Sequence, residues 1–345
     1  MTKYEKIKQI LCRHNLPDYR YNQIIHAIFN ERRPEYGKMS SLPEELRYAL
    51  ATELGDQVCT LVPLEEREKE QVGKLLFALP DQKRIEAVRL RYRRGWESFC
   101  ISSQCGCGFG CRFCATGAIG LKRHLTAEEI TDQVLYFHLK GYRLDSISFM
   151  GMGEALANPH IFEALAQLTD PALFGIGQRR ITLSTIGLVP GIHKMTQLFP
   201  QVNLAFSLHS PFQEQRSGLM PVNVKYPLHQ VMDELDKHIE ATGRRVFVAY
   251  ILLRDLNDTK EHAEALAALI KNRGTWARLY HIDLIPYNPT DRTAQKFRAS
   301  SQYRVRLFSE ALKEAGLSVT VRAQFGSGLE AACGQLYGGQ DNCGT

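Results

Sequence analysis

Residues 144–168 read LDSISFMGMGEALANPHIFEALAQL. An apolar strand-like run, LDSISFMG, passes into a polar, glycine-rich turn. A helix then opens at Asn158-Pro159, with Asn as the cap and Pro at the first helical position. This is one β–turn–α unit, and the same texture repeats on both sides of it. ESFCISS precedes a loop and a helix from Thr126, where TAEE forms a capping box. RRITLSTIG precedes a helix near 188–198, and QVNLAFSLH precedes one near 227–241. RVFVAYILL precedes a helix capped near Asp258, and LYHIDLIPYN precedes one near 301–315. A last strand, LSVTVRAQ, closes the series. Regular β–α alternation implies a parallel sheet. Six units fall short of the eight that close a full barrel, and the GxGxxG expected after the first strand of a dinucleotide-binding doubly wound sheet is absent. The expected class is α/β, an open partial (β/α)6 barrel.

Upstream, KYEKIKQIL and YNQIIHAIF carry apolar residues at helical spacing. Ser41 and Glu44 in SLPEELRYALATEL have the spacing of a capping box, and the charged text at 61–70 reads as a connector. Three parts are expected: a small helical accessory domain over 1–80, the barrel core over 81–324, and a glycine-rich C-terminal loop over 325–345. The last 20 residues hold six glycines.

The chain has 345 residues, 44% of them hydrophobic and 23% charged, the composition of a soluble globular protein. No apolar run is long enough for a membrane span, and the charged N-terminus lacks a signal-peptide core. A cytoplasmic location without membrane association is expected. The formal net charge of +6 favours a polyanion only weakly, but residues 83–94, KRIEAVRLRYRR, hold six Lys or Arg against one Glu. In RIEAVRLRY, Glu86, Val88, Leu90 and Tyr92 alternate with Ala87, Arg89 and Arg91. With Arg93, the two arginines of the second face are candidate phosphate contacts, the alternative being a solvated strand face.

There are nine cysteines, and four of them fall within ten residues. Cys107, Cys111 and Cys114 have the spacing C-x3-C-x2-C in a loop just after the first core strand. Three thiolates at this spacing suit one 4Fe–4S cluster with one iron left open to chelate an amine and a carboxylate. The alternative is a zinc site with Cys105 as fourth ligand. Barrel ligands lie at the C-terminal ends of strands, which here read Gly151-Met152-Gly153-Glu154, Ser184-Thr185, Ser207-Leu208-His209 and Tyr287-Asn288. Gly153 allows close backbone approach, and Glu154 offers an acceptor to an ammonium. Ser184, Ser207, His209 and Asn288 offer hydrogen bonds to the polar groups of a bound ligand.

FCISSQCGCGFGCRFCATG, DSISFMGMGEALAN, STIG, FSLHSP, YNP and QFGSGLEAACGQLYG resemble the radical S-adenosylmethionine (SAM) ribosomal RNA adenine methyltransferases of the Cfr/RlmN family. The resemblance runs from about residue 4 to 340, and it implies that the N-terminal accessory domain contacts RNA. Cys105, Ala155 and the GWESFC segment lean to the Cfr branch. It implies a 4Fe–4S cluster, two SAM molecules per turnover and a flavodoxin-type electron donor. The implied substrate is 23S rRNA, naked or before assembly, methylated at C8 of an adenosine in the peptidyl-transferase centre. Resistance to antibiotics that bind there is implied with it. The RlmN branch implies C2 instead. Residue by residue, Cys333 in EAACGQL maps to the methyl-carrying cysteine. Cys100 maps to the thiol that resolves the protein–RNA adduct as a disulfide, and Glu86 to the proton acceptor. Read from the residues alone, Cys100 on its strand is a packing residue, and the alternative for Glu86 is pairing with a neighbouring arginine. Ser207, Leu208 and His209 map together to the SAM site. Two rivals are a zinc-stabilised RNA-binding protein without catalysis and a radical SAM enzyme acting on protein or small molecules. The second leaves the Cys100/Cys333 pair unexplained.

Overall fold

A computed structural model describes residues 2–92, 95–289, 293 and 296–322. Three helices open the chain: α1 (Lys3–Arg13), α2 (Tyr19–Phe29) and α3 (Glu44–Leu54). Thr2 and Glu5 form a capping box on α1. Ile7, Ile10, Ile24, Ile28, Leu46 and Leu50 converge in a core of their own, which Leu135 of the barrel also enters. The capping box expected at Ser41 is not formed. Pro43 is the N-cap of α3 and makes no side-chain hydrogen bond, since its ring fixes the entry to the first turn.

The helical reading of the N-terminal segment holds to Leu54. Residues 61–70 are not a connector: β1 (Val62–Lys69) and β2 (Val72–Ala78) form an antiparallel hairpin that joins the main sheet through β3 (Arg84–Arg91). The side chains of β1 are exposed throughout. An edge strand covered on neither face needs no apolar periodicity, and its charges discourage pairing with another chain.

From β4 (Glu97–Cys100) the sheet is parallel. It continues through β7 (Ser146–Phe149), β8 (Ile181–Thr185), β9 (Asn203–Ser207), β10 (Val246–Leu252), β11 (Tyr280–Pro286) and β12 (Ser318–Val321), in that order. Between β4 and β7 a small hairpin, β5 (Gln104–Gly106) and β6 (Leu121–His124), flanks the short helix α4 (Ala115–Ala118). The crossovers carry α5 (Ala127–Leu139), α6 (Ile161–Thr169), α7 (Val189–Leu198), α8 (Gln213–Leu219), α9 (Val222–Lys225), α10 (Leu228–Thr242), α11 (Lys260–Lys271) and α12 (Gln302–Glu314). The expected open, partial barrel is what forms: six β–α units and a last strand, with no pairing between β1 and β12. The sheet curls, because Arg322, just past β12, reaches the Met150 sulfur just past β7 at 3.4 Å with four strands between them.

Thr126 and Glu129 form the expected capping box on α5. Two other caps move. Thr259, one residue past Asp258, caps α11. Helix α6 starts at Ile161 with His160 as its cap, after a 3-10 turn at Ala155–Ala157. Asn158 is instead buried, donating to the carbonyls of Ser103 and Leu125 while its Oδ1 accepts from His160 N–H. It ties the β7 turn to the β5–β6 hairpin.

Candidate active site

The three cysteines of the C-x3-C-x2-C segment line one cavity at the C-terminal ends of the parallel strands, together with Gly153, Glu154, Ser184, Ser207 and His209. The loop that carries them is built on glycine. Gly106 has φ +80°, and a Cβ there would lie 1.9 Å from the Gly120 carbonyl, so the β5–β6 hairpin closes this tightly only without a side chain. Cys107 N–H then donates to that same carbonyl, and Cys114 N–H to Cys111. Arg112 N–H donates to Leu219, fixing the loop to α8. Burial pushes the Cys107 thiol up to about 12. The Cys111 thiol is also pushed well up, by burial first and then by Cys114, Cys107 and Glu154. These thiols are protonated without a metal, so binding one releases protons.

Glu154 is buried, its Oε2 accepting from Ile186 N–H at 2.9 Å and Oε1 from Leu156 N–H at 3.3 Å. Burial raises its carboxyl to about 7, against the hydrogen bonds from Thr185, Ile186 and Leu156. The preceding Gly153 has φ +98°, and a Cβ there would meet the Gln104 side chain at 2.5 Å. Gln104 uses that space: its Oε1 accepts from Glu154 N–H and its Nε2 meets His124. Gly153 is therefore needed for close packing inside the protein as well as beside any ligand. Ser184 and Ser207, on adjacent strands, have hydroxyls 3.4 Å apart.

His209 has φ +58°, in the left-handed region. Its Nδ1 accepts from Ile251 N–H, which leaves the ring proton on Nε2. Burial, then the Arg216 charge, lowers it to about 3, so the ring is a neutral donor. Leu208 contributes backbone alone: its N–H donates to Ala249, its carbonyl accepts from Arg216, and its side chain is buried away from the cavity. Asn288 does not line this cavity; its Nδ2 lies 3.3 Å from the Pro286 carbonyl.

Sequence reasoning missed Phe113, Met150 and Arg322, which also line the cavity, and Arg216 behind it. Arg322 carried the signal used for the other rim residues, a polar side chain just past an apolar strand. It donates to Asp283 Oδ2 from Nε at 3.1 Å and Nη2 at 2.7 Å.

Cys100 and Glu86 do not line the cavity. The register places both on one face of the sheet: Cys100 opposes Val88, two residues from Glu86, and also pairs with Ser148. Glu86 is buried, and Lys74 Nζ lies 3.2 Å from its Oε1, a lysine of the next strand where an arginine of its own strand was the alternative. Cys105 is fully buried outside the cavity, its thiol 3.4 Å from the Arg84 carbonyl. Cys333 lies outside the described residues, as does Arg93.

The arginine face of β3 is corrected. Arg89 is buried, paired with Glu97 at 3.0 Å and with Glu68, and stacked over Tyr142 at 4.3 Å. It is a core ion pair and cannot reach a phosphate. Both faces of β3 are covered over most of its length, which an alternating pattern does not reveal. Arg91 is exposed, but it opposes Glu97 at the strand end away from the cavity. Among the described residues, no helix is long and apolar enough to cross a membrane.

Residues 101–270 match the model of the radical SAM superfamily. The chain is 61% identical to a protein named ribosomal RNA large subunit methyltransferase Cfr from Clostridium botulinum, over 97% of each chain. It is 53% identical to the protein of that name from Staphylococcus aureus, over 99% of this chain and 98% of the other. A crystal structure of a radical SAM methyltransferase from Sphaerobacter thermophilus superimposes with a TM-score of 0.90 at 38% identity, covering 98% of both chains. With three cysteines, an acidic residue and two rim serines converging on one cavity, these full-length similarities make the chain a member of the Cfr family of radical SAM methyltransferases.

Proposed function

We propose that the chain methylates C8 of an adenosine in the peptidyl-transferase centre of 23S rRNA, taking the RNA naked or before assembly, and that the product confers resistance to antibiotics that bind there. The observation that carries this reading is the single cavity shared by Cys107, Cys111, Cys114, Glu154, Ser184, Ser207 and His209. The names of the relatives supply the rRNA substrate.

The donor set fits an iron–sulfur cluster. Among the described residues, no three His, Cys, Asp or Glu side chains converge closely enough for one metal ion. Three thiols around one cavity, with Cys105 turned away, suit a larger body better than a zinc ion. Cys107, Cys111 and Cys114 would hold it. Once reduced by a flavodoxin-type donor, a bound cluster would supply the electron for reductive cleavage of SAM.

The chain's own residues do the rest. Glu154 accepts from the SAM amine, with Gln104 fixing its backbone. Ser184, Ser207 and the Nε2–H of His209 orient the remaining polar groups of the cofactor. C8 of adenine is a poor nucleophile, so a polar attack on a SAM methyl is disfavoured and a carbon radical is the open route. Cys333 carries the methyl group delivered by a first SAM; a second SAM activates it. After the methyl carbon joins the base, Glu86 takes the proton from the attacked carbon, and the one electron left over would return to the cluster. Cys100 then attacks the Cys333 sulfur as the bond from that sulfur to the methylene carbon breaks; the carbon takes up the Cys100 proton to become the methyl group, and the two sulfurs are left as a disulfide. Placement of Cys100 and Glu86 on one sheet face supports this pairing of roles.

Mass spectrometry of rRNA nucleosides tests the proposal, in a host without its own C2 methylase, for the wild type and Cys333→Ala. 8-Methyladenosine that disappears in the variant is expected. 2-Methyladenosine alone would keep the chemistry and move the chain to the RlmN position. Neither product from a cluster-loaded preparation would overturn the rRNA assignment.

A further inference from the structure

Arg216, in α8, is fully buried. Its guanidinium donates to the carbonyls of Ile186 (2.8 Å), Ser207 (3.0 Å) and Leu208 (3.1 Å) and to Oδ1 of Asn223. Its face lies 5.0 Å from the Phe206 ring. Every one of these partners is neutral, and among the described residues no carboxylate pairs with it. A cation without an anion is costly in a protein interior, so an anion is expected to face it. Burial pulls the guanidinium down to about 10, and the one group that opposes this is Cys111.

We propose that Arg216 is the counter-ion of the cluster: a fixed positive charge behind the three thiolates that favours cluster loading and raises the reduction potential. The proposal rests on the cluster reading of the cavity. Three thiolates on a 2+ core carry a net charge of −1, and one electron takes it to −2. A buried positive charge stabilises the more negative state, so the electron is accepted at a higher potential. Arg216 acts as a positioning residue as well, because the carbonyls it gathers belong to Ile186, Ser207 and Leu208 on the rim of β8 and β9. Arg216 itself does not line the cavity.

The test is EPR-monitored redox titration of the reconstituted full chain with dithionite, without SAM, alongside iron and sulfide analysis. Asn223→Asp keeps the acceptor for Arg216, places a negative charge on the guanidinium and loses the amide bond to the Gln213 carbonyl, whereas Asn223→Leu loses both bonds and adds no charge. The midpoint of Asn223→Asp is expected to fall below those of Asn223→Leu and the wild type. Arg216→Lys should stay near the wild type, and Arg216→Gln should titrate lower and hold less iron. Equal midpoints for the two Asn223 variants would overturn the proposal, as would a fully loaded Arg216→Gln with the wild-type midpoint. Where circular dichroism shows Arg216→Gln unfolded, the Asn223 pair decides. A wild type that binds no cluster removes the cavity reading and this proposal together, whereas a loaded wild type with unshifted variants removes this proposal alone.

Discussion

Glu154 shows how much of the site's chemistry is set by one buried carboxyl. The fold holds it at about 7, above its ordinary 4.5, and burial is the leading cause. A raised carboxyl contributes stability that is complete below pH 4.5 and lost as pH rises through about 7. Glu154→Gln cannot titrate. In cluster-free protein, the stability of the wild type relative to this variant should fall by about 3 kcal/mol between pH 4.5 and about pH 8. Urea unfolding across that range measures it, and a flat difference would remove burial as the cause. Gly153 gives a second residue-scale prediction. Alanine there meets both a positive φ and the Gln104 side chain at 2.5 Å, so Gly153→Ala should cost about 2–4 kcal/mol. SAM binding to the loaded protein should weaken at least ~10-fold through the loss of the Gln104–Glu154 bond. A melting temperature unchanged from the wild type would contradict this. Both residues stood out in the sequence because a polar pair follows an apolar run. Arg216 did not: in QEQRSGL it looks like any helix-surface base, and only the return of α8 beneath β8 and β9 buries it.

Among the elements, the parallel strands were readable, while the antiparallel β1–β2 hairpin was missed and the burial of β3 was misjudged. Apolar runs such as LAFS and VFVAYIL are largely buried on both faces and followed by helices, so pattern and structure agree. Strand β1 is exposed on both faces and shows no two-residue period, whereas β3 alternates in sequence yet is covered on both faces. The error mattered most at Arg89, whose alternation with Val88 suggested a phosphate contact. Its pairing with Glu97 and stacking on Tyr142 predict the reverse phenotype. Arg89→Met should lower stability by about 3 kcal/mol, because Glu97 loses its guanidinium partner in a buried setting. Affinity of the folded variant for an rRNA fragment should change less than ~2-fold, since a buried arginine neutralises no phosphate. Calorimetric unfolding and filter binding separate the two. Lost RNA affinity at unchanged stability would restore the phosphate role.

At the scale of the molecule, the helical N-terminal core is joined to the barrel at Asp132 of α5. Lys3 Nζ donates to Asp132 Oδ1 at 2.5 Å and to the Val58 carbonyl at 2.6 Å, with Glu128 3.7 Å away. Thr60 donates to Oδ2 through both its N–H (2.7 Å) and its hydroxyl (2.8 Å). One fully buried carboxylate thus fixes the first helix and the strand-bound end of the accessory segment to the same turn of α5. The charge on Lys3 is held by that carboxylate and Glu128, whose fields outweigh a large burial cost. Asp132→Asn keeps the shape but removes the nearer anion and turns one acceptor into a donor facing its neighbours. A loss of about 3 kcal/mol is expected, and it should be local: α1 to α3 loosen while the parallel sheet, held by its own core, persists. Amide hydrogen exchange should rise across residues 3–60 and stay slow in β8 to β11. Iron loading, which draws on the distant cysteine loop, should remain at the wild-type level. Faster exchange throughout the barrel would mean that the two cores fold as one cooperative unit, with Asp132 inside it rather than between them.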